Sequence, residues 1–550
     1  MSARVRLSDP LRRSPAFRSL WAAGLLANLG QLIQNVGAAW EMTRLTDSIE
    51  MVALVQSAGM LPMMLLTLPS GALADMVDKR KVALFGLSFA CLCAASLTIA
   101  IIAGVGSPAL LLGSCVLIGT GVALYAPAMQ SSVPEQVESA HLPSAIALNS
   151  ISYNIARSLG PALGGLLLAA FGAAAAFGSN ALLYLPMILA AVLWKRPVKP
   201  SRLPPETMWR AVISGMRYAL HSPPIRSSLV RTFCAGCAGS SVMALLPLVA
   251  KDLLGGESFI YGLLLGSYGV GAIIGAFFVE RVRSGQSTET AIRGLLAAAG
   301  VAVVVLATSR LLFLSCCALA AFGAAWMLTN SLSSVCIQLS APRWVAARAV
   351  STYTCSVTAG MTLGAAFWGK VASHLGLREA LLCSAFAIGV CILIGLGLRM
   401  PDVFVPAQDS HSPSDLPEIE LAVTERSGPV VIEIDYRVAT DNARSFYNAM
   451  TAVRSARMRS GAFGWSLARH LADRELWTER YHCPTWGDYL RQRSRLTEED
   501  IVAQQKVEGF VIDDVPGLRV RRMLERPLGS VRQDAETPDT MDGEVALITP

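Results

Sequence analysis

Arg157 stands in the run NSISYNIARSLGPALGG, and no Asp, Glu or Lys occurs between residues 142 and 172. At helical spacing Asn149, Tyr153, Arg157, Gly160 and Gly164 share one face, so the guanidinium points the same way as glycines suited to close packing. A lone guanidinium in apolar surroundings needs an anion, backbone carbonyls or water. Those are the two roles open to it: substrate or gating chemistry, or a structural clamp to carbonyls near the GPALGG bend. Asn28, Gln31 and Asn35 fall within an arc of about 60° on a second apolar stretch, with Gln34, Glu41 and Arg44 on the neighbouring arc. Such amides either bind a polar solute or hold neighbouring helices together. Tyr184, Tyr268, Trp326 and Asn330 are further candidates by residue type for lining a cavity. Glu41 is the candidate proton carrier, because no deeper carboxylate presents itself.

Three other patterns have plainer explanations. Cys234 and Cys237 are spaced CxxC, but without a second pair or a nearby His they read as small packing residues rather than metal ligands. GVGAIIG, at 269–275, resembles part of a dinucleotide fingerprint but lies in an apolar run with no soluble strand before it, so helix packing explains it better. His470 and His482 have the types of an acid–base pair, and Trp465, Trp477 and Trp486 those of a pocket for a flat substrate. A structural or regulatory module is the competing reading of that region. No cofactor, metal or nucleic-acid partner is expected.

The elements that carry these residues follow from composition. Of 550 residues 53% are hydrophobic and 15% charged, and the mean hydropathy is +0.49, too apolar for a water-soluble globule. Twelve spans are expected, near 17–43, 49–73, 81–103, 108–128, 144–169, 173–194, 228–250, 258–279, 290–308, 311–334, 347–371 and 377–398. Each approaches the roughly 20 apolar residues that a bilayer core requires, and helix is the form that satisfies the backbone there. The first span is too long for a removable signal peptide. Arg4, Arg6, Arg12, Arg13 and Arg18, then Lys79, Arg80 and Lys81, then the basic segment 195–227 alternate with loops near 46, 105 and 172 that lack Lys and Arg. The positive-inside rule therefore places both termini in the cytoplasm, with 129–143 as the dissenting loop. The expected organisation is a basic N-terminus (1–16), two six-helix bundles (17–194 and 228–398), a central loop (195–227), a Pro- and Ser-rich linker (399–428), a small α+β domain (429–527) and an acidic tail (528–550). Within the domain, VVIEIDYRV alternates as a strand, DNARSFYNAMTAVRSAR is an amphipathic helix, FGWSLARH and LWTERYHC form a hairpin, WGDYLRQRS and TEEDIVAQQKV are helical, and LRVRRMLE is a last strand.

The bundles repeat each other. LGPALGGLLLAAFG at 159–172 aligns with LGAAFWGKVASHLG at 363–376, pairing Gly160 with Gly364, Gly165 with Gly369 and Gly172 with Gly376 at an offset of 204. The same offset pairs Gly119 with Gly323 and Gly71 with Gly275. Duplicated six-helix halves around a central cavity are the plan of secondary transporters that alternate access by rocking.

GALADMVDKRK, at 71–81, resembles the loop motif of the major facilitator superfamily, with Gly71, Leu73, Asp75, Lys79 and Arg80 in place and Met76 and Asp78 departing from it. GPALGG (Gly160, Pro161, Gly164, Gly165) resembles the span-five signature of that superfamily's antiporters, although Ala156 stands where Gly is usual. ALYAPAMQ, ALNSISYNIARSLGPALGG and the tail segments RSGAFGWSLARH and WGDYLRQRSR resemble the enterobactin-exporter-like branch whose longer members are transmembrane secretion effectors. The resemblance implies an all-α polytopic membrane protein of major facilitator fold carrying a ferredoxin-like domain that can dimerise. It also implies that Asp75 meets the start of span eleven, near Arg343 and Arg348, as a latch. The expected function is export of an amphipathic metabolite, siderophore or drug across a bacterial inner membrane, driven by protons because no nucleotide-binding motif is present. Import of a nutrient and a membrane-tethered enzyme are the alternatives. The family's tail pattern has an acid at His470 and a His at Tyr489, so no catalytic set transfers.

Overall fold

The computed structural model describes residues 9–76, 78–138, 141–194, 216–285, 287–341, 343–400, 419–421, 423–494, 497–512 and 519–525. They fall in two compact units, Met1–Val212 with Ser227–Cys336 and Val350–Asp402, and Ile213–Arg226 with Ile337–Ala349 and Val403–Pro550.

The first unit is helical. After α1 (Asp9–Arg13) come α2 (Pro15–Leu45), α3 (Ile49–Met76), α4 (Lys79–Ile102), α5 (Pro108–Gln136) and α6 (Leu142–Leu193). The second series is α7 (Pro223–Leu248), α8 (Ser258–Gly285), α9 (Thr288–Thr308), α10 (Leu312–Ser340), α11 (Arg343–Leu375) and α12 (Leu377–Gly397). Local sequence sets the starts of α2 and α5: Ser14 and Ser107 accept from Phe17 N and Leu110 N, each followed by a proline suited to the first helical position.

Nine helices among the described residues are long and apolar enough to cross a membrane, where twelve spans were expected. Two physical reasons account for the difference. α2 carries Asn28, Gln31, Gln34, Asn35, Glu41 and Arg44, and α11 carries charges and a run of hydroxyl residues, so both are long but too polar. The segment Ser144–Leu193 counts once although it has 50 residues. A straight helix of that length would extend about 75 Å against a core of about 30 Å, and the chain breaks it at Gly172 (φ 76°, ψ −179°).

The sequence repeat is a repeat of packing. Gly160 faces Leu32 of α2, and Gly364 faces Cys237 of α7; Gly119 faces Gly59 of α3, and Gly323 faces Tyr268 of α8. Gly172 and Gly376 both hold positive φ, at 76° and 98°, a conformation that suits glycine. α2 lies against both arms of α6, with Gly164 facing Ile33 and Val36, and Gly37 facing Ala176 and Phe177. Leu87, Ala90, Val122, Tyr125 and Tyr184 form part of the buried core beside them.

The second unit contains an antiparallel sheet ordered β2-β3-β1-β4, from β1 (Val430–Arg437), β2 (Phe463–Arg469), β3 (Leu476–Cys483) and β4 (Arg519–Leu524). Helices α13 (Ala443–Arg459), α14 (Trp486–Ser494) and α15 (Glu498–Glu508) complete it in the order that the hydrophobic pattern implied. Val430, Ile432, Ile434 and Tyr436 alternate onto one sheet face and pack with Phe446, Met450 and Val453 of α13.

Candidate functional site

Arg157 lies on α6 and reaches across to the second repeat. Its Nη2 donates to the Tyr268 hydroxyl of α8, and the guanidinium carbon lies 5.3 Å from the centroid of the same ring. Among the described residues its hydrogen-bond partner is this phenol. Tyr268 continues into Phe322 at 6.2 Å and then Trp326 at 5.8 Å, where the rings are 15° from coplanar. Three sequence candidates, Arg157, Tyr268 and Trp326, thus meet around α8 and α10. Tyr153 is half exposed on the Arg157 face, and Asn149 is partly buried.

The same pair of helices meets through glycine. A Cβ on Gly165 would lie 2.6 Å from Gly262 Cα, and one on Gly266 would lie 3.5 Å from Ala162 Cβ. Small residues at these points let the two backbones touch. The repeat partner of Gly165, Gly369 on α11, meets Ala53 and Glu50 of α3. Along that second seam Ser57 Oγ donates to Thr362 O at 2.8 Å and Cys355 Sγ to Met64 O at 3.2 Å. Lys251 Nζ donates to Thr43 O at 2.9 Å, and Trp40 stacks on Tyr261 at 5.9 Å. Among the described residues, contacts between the repeats run from the turns after Leu45 and before Ser258 to as far along α3 as Met64.

The other candidates disperse. Asn28 and Gln31 are partly buried and Asn35 is exposed, whereas the neighbouring Gln34 is buried and accepts from Asn180 Nδ2. Tyr184 is fully buried in the α2–α6 core, edge-on to Tyr125 at 6.4 Å, away from the Arg157 group. Asn330 accepts from the Tyr353 hydroxyl, at 2.9 Å on its carbonyl and 3.2 Å on Oδ1. Glu41 is buried and pairs with Arg44 at 3.3 Å. The surroundings of Gly71 and Asp75, and of Arg343, lie outside the described residues. Lys79 and Arg80 are tied into the bundle: Lys79 Nζ bonds Ser131 O at 2.9 Å and Glu135 at 3.2 Å, while Arg80 donates to the carbonyls of Ala191 and Val192 at the end of α6.

Sequence reasoning missed the corresponding cluster in the second repeat. Glu289 at the start of α9 accepts from Arg231 and, at 2.6 Å, from Arg293. Arg231 also donates to Leu398 O at 3.2 Å, Arg293 to Gly395 O at 3.1 Å, and Met400 N to Glu289 at 2.9 Å. The two guanidinium groups cap the carbonyls at the end of α12, where positive charge is favoured. Each residue sits at a span edge, where a charge is ordinary and marks no site by type alone. A cavity of about 10 Å³ beside Arg231, lined also by Thr329 and Ser333, has room for no more than a water.

In the C-terminal domain the two histidines stay apart. His470 Nδ1 accepts from the backbone of Ala472 and Asp473, at 3.2 and 3.1 Å, in the turn before β3, whereas His482 stacks on Phe463 near the far end of β3. The buried polar centre is Glu479 instead. It is fully buried and accepts from Tyr436 Oη at 2.8 Å, Trp465 Nε1 at 2.9 Å and Arg457 Nε at 3.4 Å. Burial alone would lower the Arg457 pKa, but Tyr481 and Glu479 beside it hold the guanidinium charged and its pKa raised. Of the three tryptophans, Trp465 serves this network, while Trp477 packs on Phe446 at 5.7 Å and Trp486 on Tyr489 at 5.3 Å.

Comparison with known proteins supplies the context for this geometry. The family described as "transmembrane secretion effector" matches residues 7–528. The enterobactin exporter EntS of Salmonella choleraesuis (strain SC-B67) is 26% identical over 405 residues, covering 70% of this chain and 94% of that protein. The staphyloferrin A transporter of Staphylococcus aureus (strain NCTC 8325 / PS 47) is 24% identical over 268 residues, covering 48% of this chain and 66% of that protein. Among solved structures, a bacterial homologue of the human lysosomal transporter Spinster, inward-facing and occupied, superposes with a TM-score of 0.56 at 14% identity, over 71% of this chain and 98% of that one. A point mutant of the nucleoside transporter NupG gives a TM-score of 0.56 at 12% identity, over 70% and 100%.

Proposed function

The chain belongs to the transmembrane secretion effector family, and we propose that it exports an amphipathic small molecule, a siderophore or similar secondary metabolite, by proton-driven alternating access. The observation that carries this reading is the pair of repeats meeting along two glycine-lined seams, α6 against α8 and α3 against α11, with the one deep charge, Arg157, placed in the first. Rigid halves joined by separable seams are what rocking requires. The similarity to an enterobactin exporter and a staphyloferrin A transporter favours siderophore-like cargo. In this reading the twelve helices α2–α5, the two arms of α6 and α7–α12 all cross a bacterial inner membrane, with both termini cytoplasmic. Asn28, Gln31, Asn35, Asn149 and Tyr153 offer polar contacts to cargo, and Glu41 is the coupling candidate.

Efflux from energised cells tests the mechanism. A protonophore is expected to abolish it, whereas ATP depletion with the gradient held is not; the reverse result overturns proton drive. Arg157→Ala is expected to lower efflux at least tenfold while membrane expression stays within a few-fold of the parent, and unchanged efflux removes Arg157 from the transport path.

A further inference from the structure

Resting on the export reading, we infer that Arg157 and Tyr268 form a latch that an anionic cargo undoes, so that the protein selects for a carboxylate or phenolate. Only Glu41, Glu50 and Glu379 are acids within the twelve spans read from the sequence, and each lies within a few residues of a span end. Arg157 is the one full charge near the middle of any of them, and the structure pairs it with a neutral phenol and its ring face instead of a carboxylate. A neutral hydroxyl compensates a desolvated guanidinium less well than an anion does, because it accepts the hydrogen bond but brings no opposite charge. An anionic oxygen reaching Arg157 from the half-exposed Tyr153 side competes with Tyr268 for the same donor. Tyr268 belongs to the other repeat, a turn or two along α8 from the Gly165–Gly262 crossing. Releasing it weakens the seam between the repeats at the moment that cargo binds. A neutral molecule of the same shape gains nothing from the exchange and leaves the seam shut. The chemistry therefore couples the charge of the cargo to a conformational change, as differential affinity for two states demands.

The seam can report on itself. Ala162→Cys with Gly266→Cys, in full-length protein lacking its native cysteines, places two Cβ atoms near the 3.5 Å separation seen between Ala162 Cβ and the position of a Cβ on Gly266, within the range of a disulfide. With a mild oxidant the closed seam is expected to cross-link. 2-Naphthoate should slow cross-linking at least threefold, and 2-naphthamide should not. Combining the pair with Arg157→Gln should abolish the effect of naphthoate, and Arg157→Lys should keep part of it; without ligand both variants should still cross-link, Arg157→Gln more slowly than the parent because its latch is gone, which confirms that they fold. Equal effects of acid and amide, no effect of either, or a naphthoate effect that survives Arg157→Gln would overturn the latch. The export reading fails separately: if the oxidised, cross-linked protein exports as fast as the reduced form, the seam does not move during transport.

Discussion

Single residues of the C-terminal domain make the sharpest energetic statements, because Glu479 and Arg457 are charges that helix α13 and strand β3 bury together. Removing one partner of a buried ion pair leaves the other unpaired at a cost of about 3–5 kcal/mol. Glu479→Ala is therefore expected to unfold the domain early, seen as a lower first transition by tryptophan fluorescence in the full-length chain, while Glu475→Ala, in the turn before β3, changes it little. Cys483 offers a pH test. Burial pushes its thiol from an ordinary 9.0 up to about 12, so the folded domain prefers the neutral form. Its contribution is intact below pH 9 and is lost as pH rises from 9 toward 12, with a slope of up to about 1.4 kcal/mol per pH unit. Iodoacetamide at pH 8 should leave Cys483 unlabelled until denaturant is added; rapid labelling of the native protein would contradict that burial. The sequence did not disclose this network, because Arg457 reads as one of several arginines on an amphipathic helix and its partner comes 22 residues later on another element.

At the level of elements, most of the architecture was legible and most of the site was not. The offset of 204 residues is visible in glycines, and the structure turns the pairs Gly119/Gly323, Gly160/Gly364 and Gly165/Gly369 into close helix contacts and the pair Gly172/Gly376 into a shared positive φ, because both demands tolerate few other residues. Alternation along VVIEIDYRV and the period of DNARSFYNAMTAVRSAR likewise map onto β1 and α13. Polar residues in apolar helices carry no such directional mark. Gln34 is separated from Asn28 and Gln31 only by lying on the neighbouring arc, and nothing in the sequence marks it as the one that turns to Asn180, since the partner is set by how α2 lies against the second arm of α6. The glycine crossings yield a graded prediction. A Cβ at Gly165 meets backbone 2.6 Å away, one at Gly164 meets Val36 Cβ at 3.1 Å, and one at Gly24 meets nothing within 4 Å. Thermal shift of the purified protein should fall by several degrees for Gly165→Ala, by less for Gly164→Ala, and not at all for Gly24→Ala, whose added methyl also favours helix by up to about 1 kcal/mol. Equal shifts for all three would mean that the α6–α8 crossing is not a tight seam.

For the whole molecule the question is where the membrane part ends, and the cluster around Glu289 answers it more finely than hydropathy does. The apolar run stops near Leu398, but the backbone of Met400 is held by Glu289, and the carbonyls of Gly395 and Leu398 are held by Arg293 and Arg231. One guanidinium, Arg231, and one carboxylate, Glu289, are buried at this corner beside the partly exposed Arg293, and the end of α12 supplies acceptors for both arginines. A chain stopped after Met400 keeps every one of these bonds. A chain stopped after Ile394 loses Gly395 O, Leu398 O and Met400 N together and leaves Arg231 and Glu289 without those partners, at a cost of roughly 1–3 kcal/mol for each such buried group, while the partly exposed Arg293 loses Gly395 O at less cost. The expected outcome is a step in stability between two truncations six residues apart. Stopping after Met400 should give membrane protein that elutes as a single symmetric peak and retains part of its transport. Stopping after Ile394 should give aggregated or degraded protein, although a hydropathy plot hardly distinguishes the two. Replacing Arg231, Glu289 and Arg293 together by Met in the shorter chain removes the whole charge cluster and should recover part of the yield. If both truncations behave alike, the corner is not what anchors α12, and the hydrophobic packing of that helix alone fixes the boundary.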